Sequence, residues 1–357
     1  MRIAIDTNPL YTSQAGVARY VRNLLGALRT HFRQELEIVE VGWPVENLRF
    51  QQPQRALKTA YRELFWAKWA APVIIAKSCA EAYHITGTPL TFAAKGVPNV
   101  VTLHDLAVFR QAGRFRPWHG YSARRGYRKL HRARHVICIS RFTADEARAV
   151  LGLSASKVSV VYLGCPFHPD GPPVAEQKPD SDVPPEFLLF VSSLEPGKNV
   201  VLIREVYELA KSRGINLPPL LLAGSRWPGV GHEGPPPADW RFLGRPSDEV
   251  LVYLYRRALA LLFPSRYEGF GLPVAEAQAL GCPVICSRVA SLPEVAGEAA
   301  LYAEMNAAAY LKTILRLLEE RGLRQETIAR GKFQASQFSW QRCARETLEI
   351  YRSLGTA

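Results

Sequence analysis

Two Rossmann-like α/β domains are what this sequence predicts, on three observations. Short β-rich runs alternate with helical periodicity along nearly the whole chain. A proline-rich, aperiodic stretch interrupts that alternation midway, after which it restarts. The length, 357 residues, suits two domains at roughly 150 residues each.

In chain order, Arg2–Asp6 is a short strand. After a polar turn containing Gly16, the residues Tyr20, Val21, Leu24, Leu25 and Leu28 line one helix face. Strand-like runs recur at 98–103, 135–139 and 158–163. The segment after Ser140 reads as a helix opened by a Thr143-x-x-Glu146 capping box. Residues 1–165 therefore form one parallel sheet covered by helices. Residues 166–186 are the expected linker. Beyond it, strands at 187–192, 219–223, 258–263 and 282–286 alternate with helices at 200–213, 248–257 and 274–280. A turn-rich surface loop is expected at 225–239. The second domain spans 187–335, and the last segment, 336–357, is expected to cross back to the first as a helix. Such folds bind ligands beyond the carboxyl ends of their strands, which predicts a cleft between the two sheets.

The composition, 48% apolar and 22% charged, excludes a disordered chain. No run approaches the roughly 18 apolar residues of a spanning helix. Asp6 interrupts the first apolar run, so no secretory signal is read there. None of the six cysteines forms a C-x-x-C, and Cys282-Pro-Val-Ile-Cys286 has no nearby histidine. Reduced, buried thiols are expected, with no metal or redox centre.

The net charge of +13 belongs wholly to the first half. Residues 1–170 carry 24 Lys and Arg against 11 Asp and Glu, whereas the remainder carries 21 of each. Between Asp105 and Asp145 no acid occurs, while Arg110, Arg114, Arg116, Arg124, Arg125, Arg128, Lys129, Arg132, Arg134 and Arg141 interleave with Trp118, Tyr121 and Tyr127. Such a patch attracts phosphate on nucleic acid, an anionic membrane or a substrate, or is simply a solvated face. Leu57–Lys77 has helical apolar spacing through Tyr61, Leu64, Phe65 and Trp69 with basic flanks. It suits a helix at a membrane interface and equally a core-facing one.

The most informative segment is Ser265-Arg-Tyr-Glu268-Gly-Phe-Gly-Leu-Pro-Val-Ala-Glu276. It follows an apolar strand and leads into a helix. Gly269 and Gly271 permit a tight turn, and Leu272-Pro273 starts the helix, with Pro tolerated in its first turn. Free N–H groups and the positive end of the helix dipole then make a seat for a diphosphate. Glu268 and Glu276 address different parts of one bound molecule.

This segment resembles the E-x7-E signature of family-4 retaining glycosyltransferases with the GT-B fold. The likeness continues through Gly281-Cys-Pro-Val-Ile-Cys-Ser and Ser291-Leu-Pro-Glu-Val-Ala-Gly. By that resemblance Glu268 would contact the donor sugar and Glu276 the ribose, while the amides of Phe270, Gly271 and Leu272 would hold sugar and phosphate. Ser192-Ser-Leu-Glu-Pro-Gly-Lys198-Asn resembles the family's phosphate-gripping loop. Lys198 is present, but the usual arginine positions hold Ser193 and Gly197, which leaves charge to Lys198, the helix dipole, and Arg226 or Arg266. Gly16-Val17 resembles the glycine loop, and His104-Asp105 the HD motif whose histidine approaches the donor sugar. Ser140-Arg141 resembles a cleft-lining element, and Phe242-Leu243 lies in the stretch that borders the base.

The resemblance implies transfer of a sugar from a nucleotide-sugar donor to an acceptor hydroxyl with retention. The Leu-Glu-Pro-x-Lys-Asn loop is reminiscent of mannosyltransferases, which favours GDP-mannose over UDP-sugars. No divalent metal or other cofactor is expected, because the only Asp-x-Asp, Asp180-Ser-Asp182, sits in the linker. The basic half suggests a saccharide or lipid-linked saccharide acceptor on an anionic membrane, in surface polysaccharide assembly. The location expected is cytoplasmic, peripheral on the membrane's cytoplasmic face. A sugar-nucleotide epimerase of the same fold is the alternative. A nucleic-acid-binding protein would leave the Glu268 loop without purpose, so nucleic acid is not an expected partner.

Overall fold

The computed structural model describes residues 1–12, 16–44, 61–87, 92–93, 96–111, 117–168, 171, 173–180, 183–225, 237 and 239–354. They divide into two compact units, Met1–Gly164 with Trp340–Ala357, and Cys165–Ser339.

The first unit is a parallel sheet of β1 (Arg2–Asp6), β2 (Glu37–Val41), β3 (Ala82–Ile85), β4 (Asn99–Leu103), β5 (His135–Cys138) and β6 (Val158–Val160). Its strand order is β2-β1-β3-β4-β5-β6. The second comprises β7 (Leu188–Val191), β8 (Leu220–Ala223), β9 (Trp240–Gly244), β10 (Ala260–Phe263), β11 (Val284–Cys286) and β12 (Leu301–Tyr302), also parallel. The order there is β9-β8-β7-β10-β11-β12, the doubly wound arrangement of a Rossmann half. Central strands such as β3, β4, β7 and β10 are buried throughout. Helices cover both faces, which is why most of these strands read as unbroken apolar runs.

The sequence reading missed β2, β3, β9 and β12. Strand β2 and β9 lie at sheet edges and mix polar with apolar residues, and β12 has two residues. Strand β3 is central, but its run Ala-Tyr-His-Ile contains a histidine and is only four long.

Helix Gly16–Phe32 buries Tyr20, Val21, Leu24, Leu25 and Leu28. Helices Val200–Ser212 and Asp248–Arg257 occupy the segments expected. The expected helical stretch after residue 307 is three helices, Ala307–Glu319, Leu323–Ala335 and Trp340–Ser353. The last buries Cys343, Ala344, Leu348 and Tyr351 and packs on Gly16–Phe32 within the first unit.

Three readings are corrected. The helix Arg141–Leu151 is capped by Ser140, whose hydroxyl accepts from the Thr143 N–H at 3.0 Å. Glu146 is instead engaged by Arg110 through two hydrogen bonds of 2.8 and 2.6 Å, because its buried carboxylate needs a cation more than a helix end does. The segment 166–186 is no free linker: Gln177 donates to the Glu249 carbonyl, and Glu176 pairs with Arg256 and Arg257, so its described part belongs to the second unit. The return to the first unit falls at Trp340 rather than 336.

Within Leu57–Lys77, residues 57–60 and the Leu64 side chain lie outside the described residues; Arg62–Ala70 is π-helical and Ala71–Lys77 α-helical. Arg114, Arg116, Arg226, Ser181-Asp182 and most of the 225–239 loop also lie outside them, as does the Trp118 side chain. Among the described residues no helix is long and apolar enough to cross a membrane.

Candidate active site

In the second unit the strand order reverses between β7 and β10. A doubly wound sheet opens a crevice at such a switch point, because the loops leaving the two strands part to opposite faces. Those two loops carry Lys198 and Glu268. After β7 the chain runs through Ser193 to the 3-10 turn Pro196–Lys198. Asn199 then adopts φ 57°, a left-handed conformation Asn tolerates better than most residues, and starts helix Val200–Ser212. After β10 the chain passes Ser265 and Glu268 and turns at Gly271 into helix Leu272–Ala279. Gly271 has φ 92°, and a Cβ there would approach Leu292 Cδ2 to 2.7 Å, so both backbone and space call for glycine.

The loops are laced together. Lys198 Nζ donates to Glu268 Oε1 at 2.6 Å, and Ser265 Oγ donates to the same oxygen at 2.6 Å. The two charged side chains are only 12% and 10% exposed. The Lys198 ammonium also lies 6.0 Å from the centre of the Phe263 ring, the last residue of β10. Arg266 donates its N–H to the Gly197 carbonyl at 2.9 Å and its guanidinium to Asn199 Oδ1 at 3.0 Å. Ser291 Oγ donates to the Glu268 carbonyl at 3.0 Å and Ser287 Oγ to that of Ser265. An ammonium has three N–H donors. One is committed to Glu268, which leaves two for an anion arriving at the helix N-terminus.

Lys198, Glu268, Gly271 and Leu272 are thus brought to one place. Glu276 sits one turn into the helix, buried, and accepts from the Tyr255 hydroxyl at 3.1 Å. The Phe270 ring is turned into the core against Phe338, 5.4 Å between centroids, so only its backbone is available for the role expected of it. Ser193 is half-buried at the start of the loop, and its carbonyl accepts from the Glu195 N–H at 3.1 Å. Phe242 and Leu243 lie on edge strand β9, two strands and about 10 Å from β7.

In the first unit the order reverses between β1 and β3, and His104 follows β4 next door. His104 Nε2 donates to the Thr86 carbonyl at 2.8 Å, which makes Nδ1 the acceptor nitrogen of the neutral ring. The edge of Tyr20 packs on it at 5.0 Å. Tyr20 also bonds Thr102 Oγ1 at 2.8 Å, Thr102 bonds His84 Nε2 at 2.7 Å, and His84 Nδ1 meets the Tyr351 hydroxyl at 2.5 Å. Asp105 accepts from the Ala107 N–H at 2.9 Å, at the first residue of helix Ala107–Arg110. Gly16 opens helix Gly16–Phe32 with nothing within 4 Å of a would-be Cβ.

Burial lowers the pKa of both histidines: that of His84 falls to about 3, and that of His104 falls too, opposed by its bond to Thr86 and by Asp105. The unfolded chain binds a proton at His84 below about pH 6.5 while the folded chain refuses it. Stability is therefore intact above that pH and is lost as pH falls toward 3, by up to about 1.4 kcal/mol per pH unit. The melting temperature should fall between about pH 7 and pH 5, and His84→Gln should flatten that slope. Equal slopes in the two proteins would show that His84 is not held neutral.

Several site residues carried no sequence signal. Tyr255, Thr102 and Tyr351 lie on unremarkable helices or strands and gain meaning only from their partners. Asn199 stands in the Leu-Glu-Pro-x-Lys-Asn loop, but its left-handed backbone had no local signal, since an asparagine before a helix ordinarily caps it from an extended conformation. Of the cysteines, Cys79 is exposed and the other five are buried, all as free thiols. Among the described residues no group of three or more His, Cys, Asp or Glu is placed to hold a metal ion.

Comparison with known proteins joins these observations to a family. The pattern of "Glycosyltransferase Family 4" matches residues 15–167, and that of "Glycosyl transferases group 1" matches 173–334. O-antigen chain mannosyltransferase B of Escherichia coli is 32% identical over 274 residues, 71% of this chain and 70% of that protein. Sucrose-phosphate synthase from Thermosynechococcus elongatus superposes with a TM-score of 0.72 at 19% identity, covering 100% of this chain and 99% of that one. WaaG, a glycosyltransferase involved in lipopolysaccharide biosynthesis, gives 0.65 at 15% identity over 98% and 99%. With two Rossmann-like units in the GT-B manner, a relative of this closeness and both halves matched, this chain belongs to the family-4 glycosyltransferases.

Proposed function

We propose that this glycosyltransferase moves mannose from GDP-mannose to a hydroxyl of a lipid-linked saccharide, with retention and without a divalent metal, in assembly of a surface polysaccharide. The observation that carries the reading is the Lys198–Glu268 pair held at the switch point beside the N-terminus of helix Leu272–Ala279. As the sugar–oxygen bond breaks, negative charge develops on the departing phosphate. Lys198 and the amides of Gly271 and Leu272 meet that charge from fixed positions, so little reorganisation opposes it. Glu268, pinned by Ser265, accepts from a donor-sugar hydroxyl and stays close to the cationic sugar. The acceptor's proton passes to the leaving phosphate oxygen while the new bond forms on the same face. His104 takes the sugar-approaching role that the likeness to the HD motif implies, and Glu276, redirected from Tyr255, takes the ribose hydroxyls.

Mannose is favoured by the relative named an O-antigen chain mannosyltransferase and by the Leu-Glu-Pro-x-Lys-Asn loop. The lipid-linked acceptor and a peripheral, cytoplasmic location follow from the basic first half, with phosphate on lipid rather than on nucleic acid as its target. Ligand-induced stabilisation against a panel of nucleoside diphosphates tests the reading. GDP at 100 times its dissociation constant should stabilise by about 2.7 kcal/mol, and Glu276→Ala should abolish the effect. GDP release from GDP-mannose should persist in excess chelator. Stabilisation by UDP alone would reassign the donor, and loss of activity on chelation would overturn metal independence. Product analysis with donor alone separates a transferase, which at most hydrolyses it slowly, from an epimerase, which alters the sugar.

A further inference from the structure

The helical segment 62–77 is apolar on two opposite faces. Trp66, Ala67, Ala71 and Ile75 are buried in the core of the first unit. On the other side Phe65 and Trp69 are 57% and 72% exposed, and Val73 and Ile74 are exposed as well. Phe65, Trp69 and Val73 stand four apart, a spacing that makes one stripe along a helix. Tyr61 stacks on Phe65 at 5.9 Å and leans on Trp43 at 5.6 Å, which braces the Phe65 end of the stripe. A helix on a protein surface ordinarily puts charges on its outer face. Here that face carries large apolar groups.

The charge beside the stripe has one sign. Lys68 is exposed and directly precedes Trp69, and no acidic residue occurs between Glu63 and Glu81. The Lys129 ammonium lies within the fields of Arg125, Arg132 and Lys68, which together with partial burial lower its pKa. Cations from two separate segments, Arg125, Lys129 and Arg132 on one and Lys68 on the other, thus feel one another, and Lys68 directly precedes the exposed Trp69. A second copy of this chain is a poor occupant, because a symmetric pairing would set the same cations face to face. A lipid leaflet offers both an apolar interior and fixed negative charge, and indole rings favour that boundary.

We propose that this surface docks the first unit on an anionic membrane, with Phe65 and Trp69 entering the headgroup–acyl boundary and Lys68, Arg125, Lys129 and Arg132 meeting lipid phosphates. The proposal deepens the lipid-linked acceptor reading and rests on it for its purpose, which is to hold the enzyme where its acceptor is embedded.

Flotation of the full chain with vesicles tests it without any donor or acceptor. The probes are phosphatidylcholine vesicles and the same vesicles with about 30% phosphatidylglycerol. The chain should float with the anionic vesicles, less with the neutral ones, and less again at high salt. Phe65→Ser with Trp69→Ser should lower partition on the order of tenfold or more. Lys129→Gln with Arg132→Gln should remove most of the preference for anionic lipid. Both pairs lie outside the active site, so GDP release from GDP-mannose should be unchanged. Trp69→Ser alone, at the more exposed ring, repeats the test should the double variant fail to fold. Unaltered partition in the serine variants, or indifference of the parent chain to phosphatidylglycerol, would overturn the proposal. So would a parent dimer that the serine variants disperse, which would give the stripe to a second copy. A chain that floats but turns over no sugar nucleotide would keep the docking surface and lose the transferase reading; the reverse result would do the opposite.

Discussion

Replacing Lys198 with alanine is expected to reduce turnover by about 10²–10³-fold, the loss typical of removing one fixed donor to a developing anion. The variant should also lose on the order of 3 kcal/mol of stability, because the nearly buried Glu268 carboxyl would lose its cation and be left with Ser265. The two effects separate in a cycle. Glu268→Gln added to Lys198→Ala should restore most of the stability, since no buried charge then lacks a partner, while activity stays low. Turnover of each variant is measured below its own melting temperature, and the unfolding free energies come from denaturant titration. Near-parental turnover in Lys198→Ala would remove this residue from the chemistry, whatever its effect on folding.

The second large effect is expected at a glycine that packs against the start of the Lys198 loop. Gly224 follows β8, and a Cβ there would lie 1.8 Å from the Ser192 carbonyl oxygen and 2.6 Å from its carbon. Both obstacles are backbone, so no side chain can swing aside. The same backbone is laced to its neighbour by the bonds from Ser192 N–H to the Ala223 carbonyl and from Leu194 N–H to that of Ser225. Gly224→Ala should therefore cost about 3 kcal/mol or more. It should also push out the loop that ends at Lys198, so activity should fall even in the fraction that stays folded. Gly26→Ala is the control: it sits exposed within helix Gly16–Phe32 with open space around it, and should stabilise by up to about 1 kcal/mol. A Gly224→Ala protein with parental melting and turnover would mean that the close approach is relieved by a small shift.

Most of the second unit was legible as sequence. Leu188–Val191 and Ala260–Phe263 are apolar throughout because both their faces are covered, and the Glu268–Gly271 turn announces a strand-to-helix junction by its glycines. The first unit was harder. Its His84 strand is four residues long and carries a polar side chain at its centre, which only the hydroxyls of Thr102 and Tyr351 make acceptable there. The capping box misread at Glu146 has the same origin. A carboxylate three residues after a threonine fits the local rule, but Arg110, 36 residues away, made a stronger offer.

A family resemblance singled out Lys198, Glu268 and Glu276, while the sequence by itself determined the class of fold and the run of strands and helices that builds each half. Those follow from periodicity and from glycine and proline placement, which act over a few residues. Tertiary structure alone decided the partners. Lys198 and Glu268 are 70 residues apart, and His84 and Tyr351 are 267 apart. Strand order brings the first pair together by setting β7 beside β10, and packing of the last helix on Gly16–Phe32 brings the second. Neither arrangement has a local signature, because a strand's preference for its neighbour resides in whole buried faces rather than in any short stretch of chain.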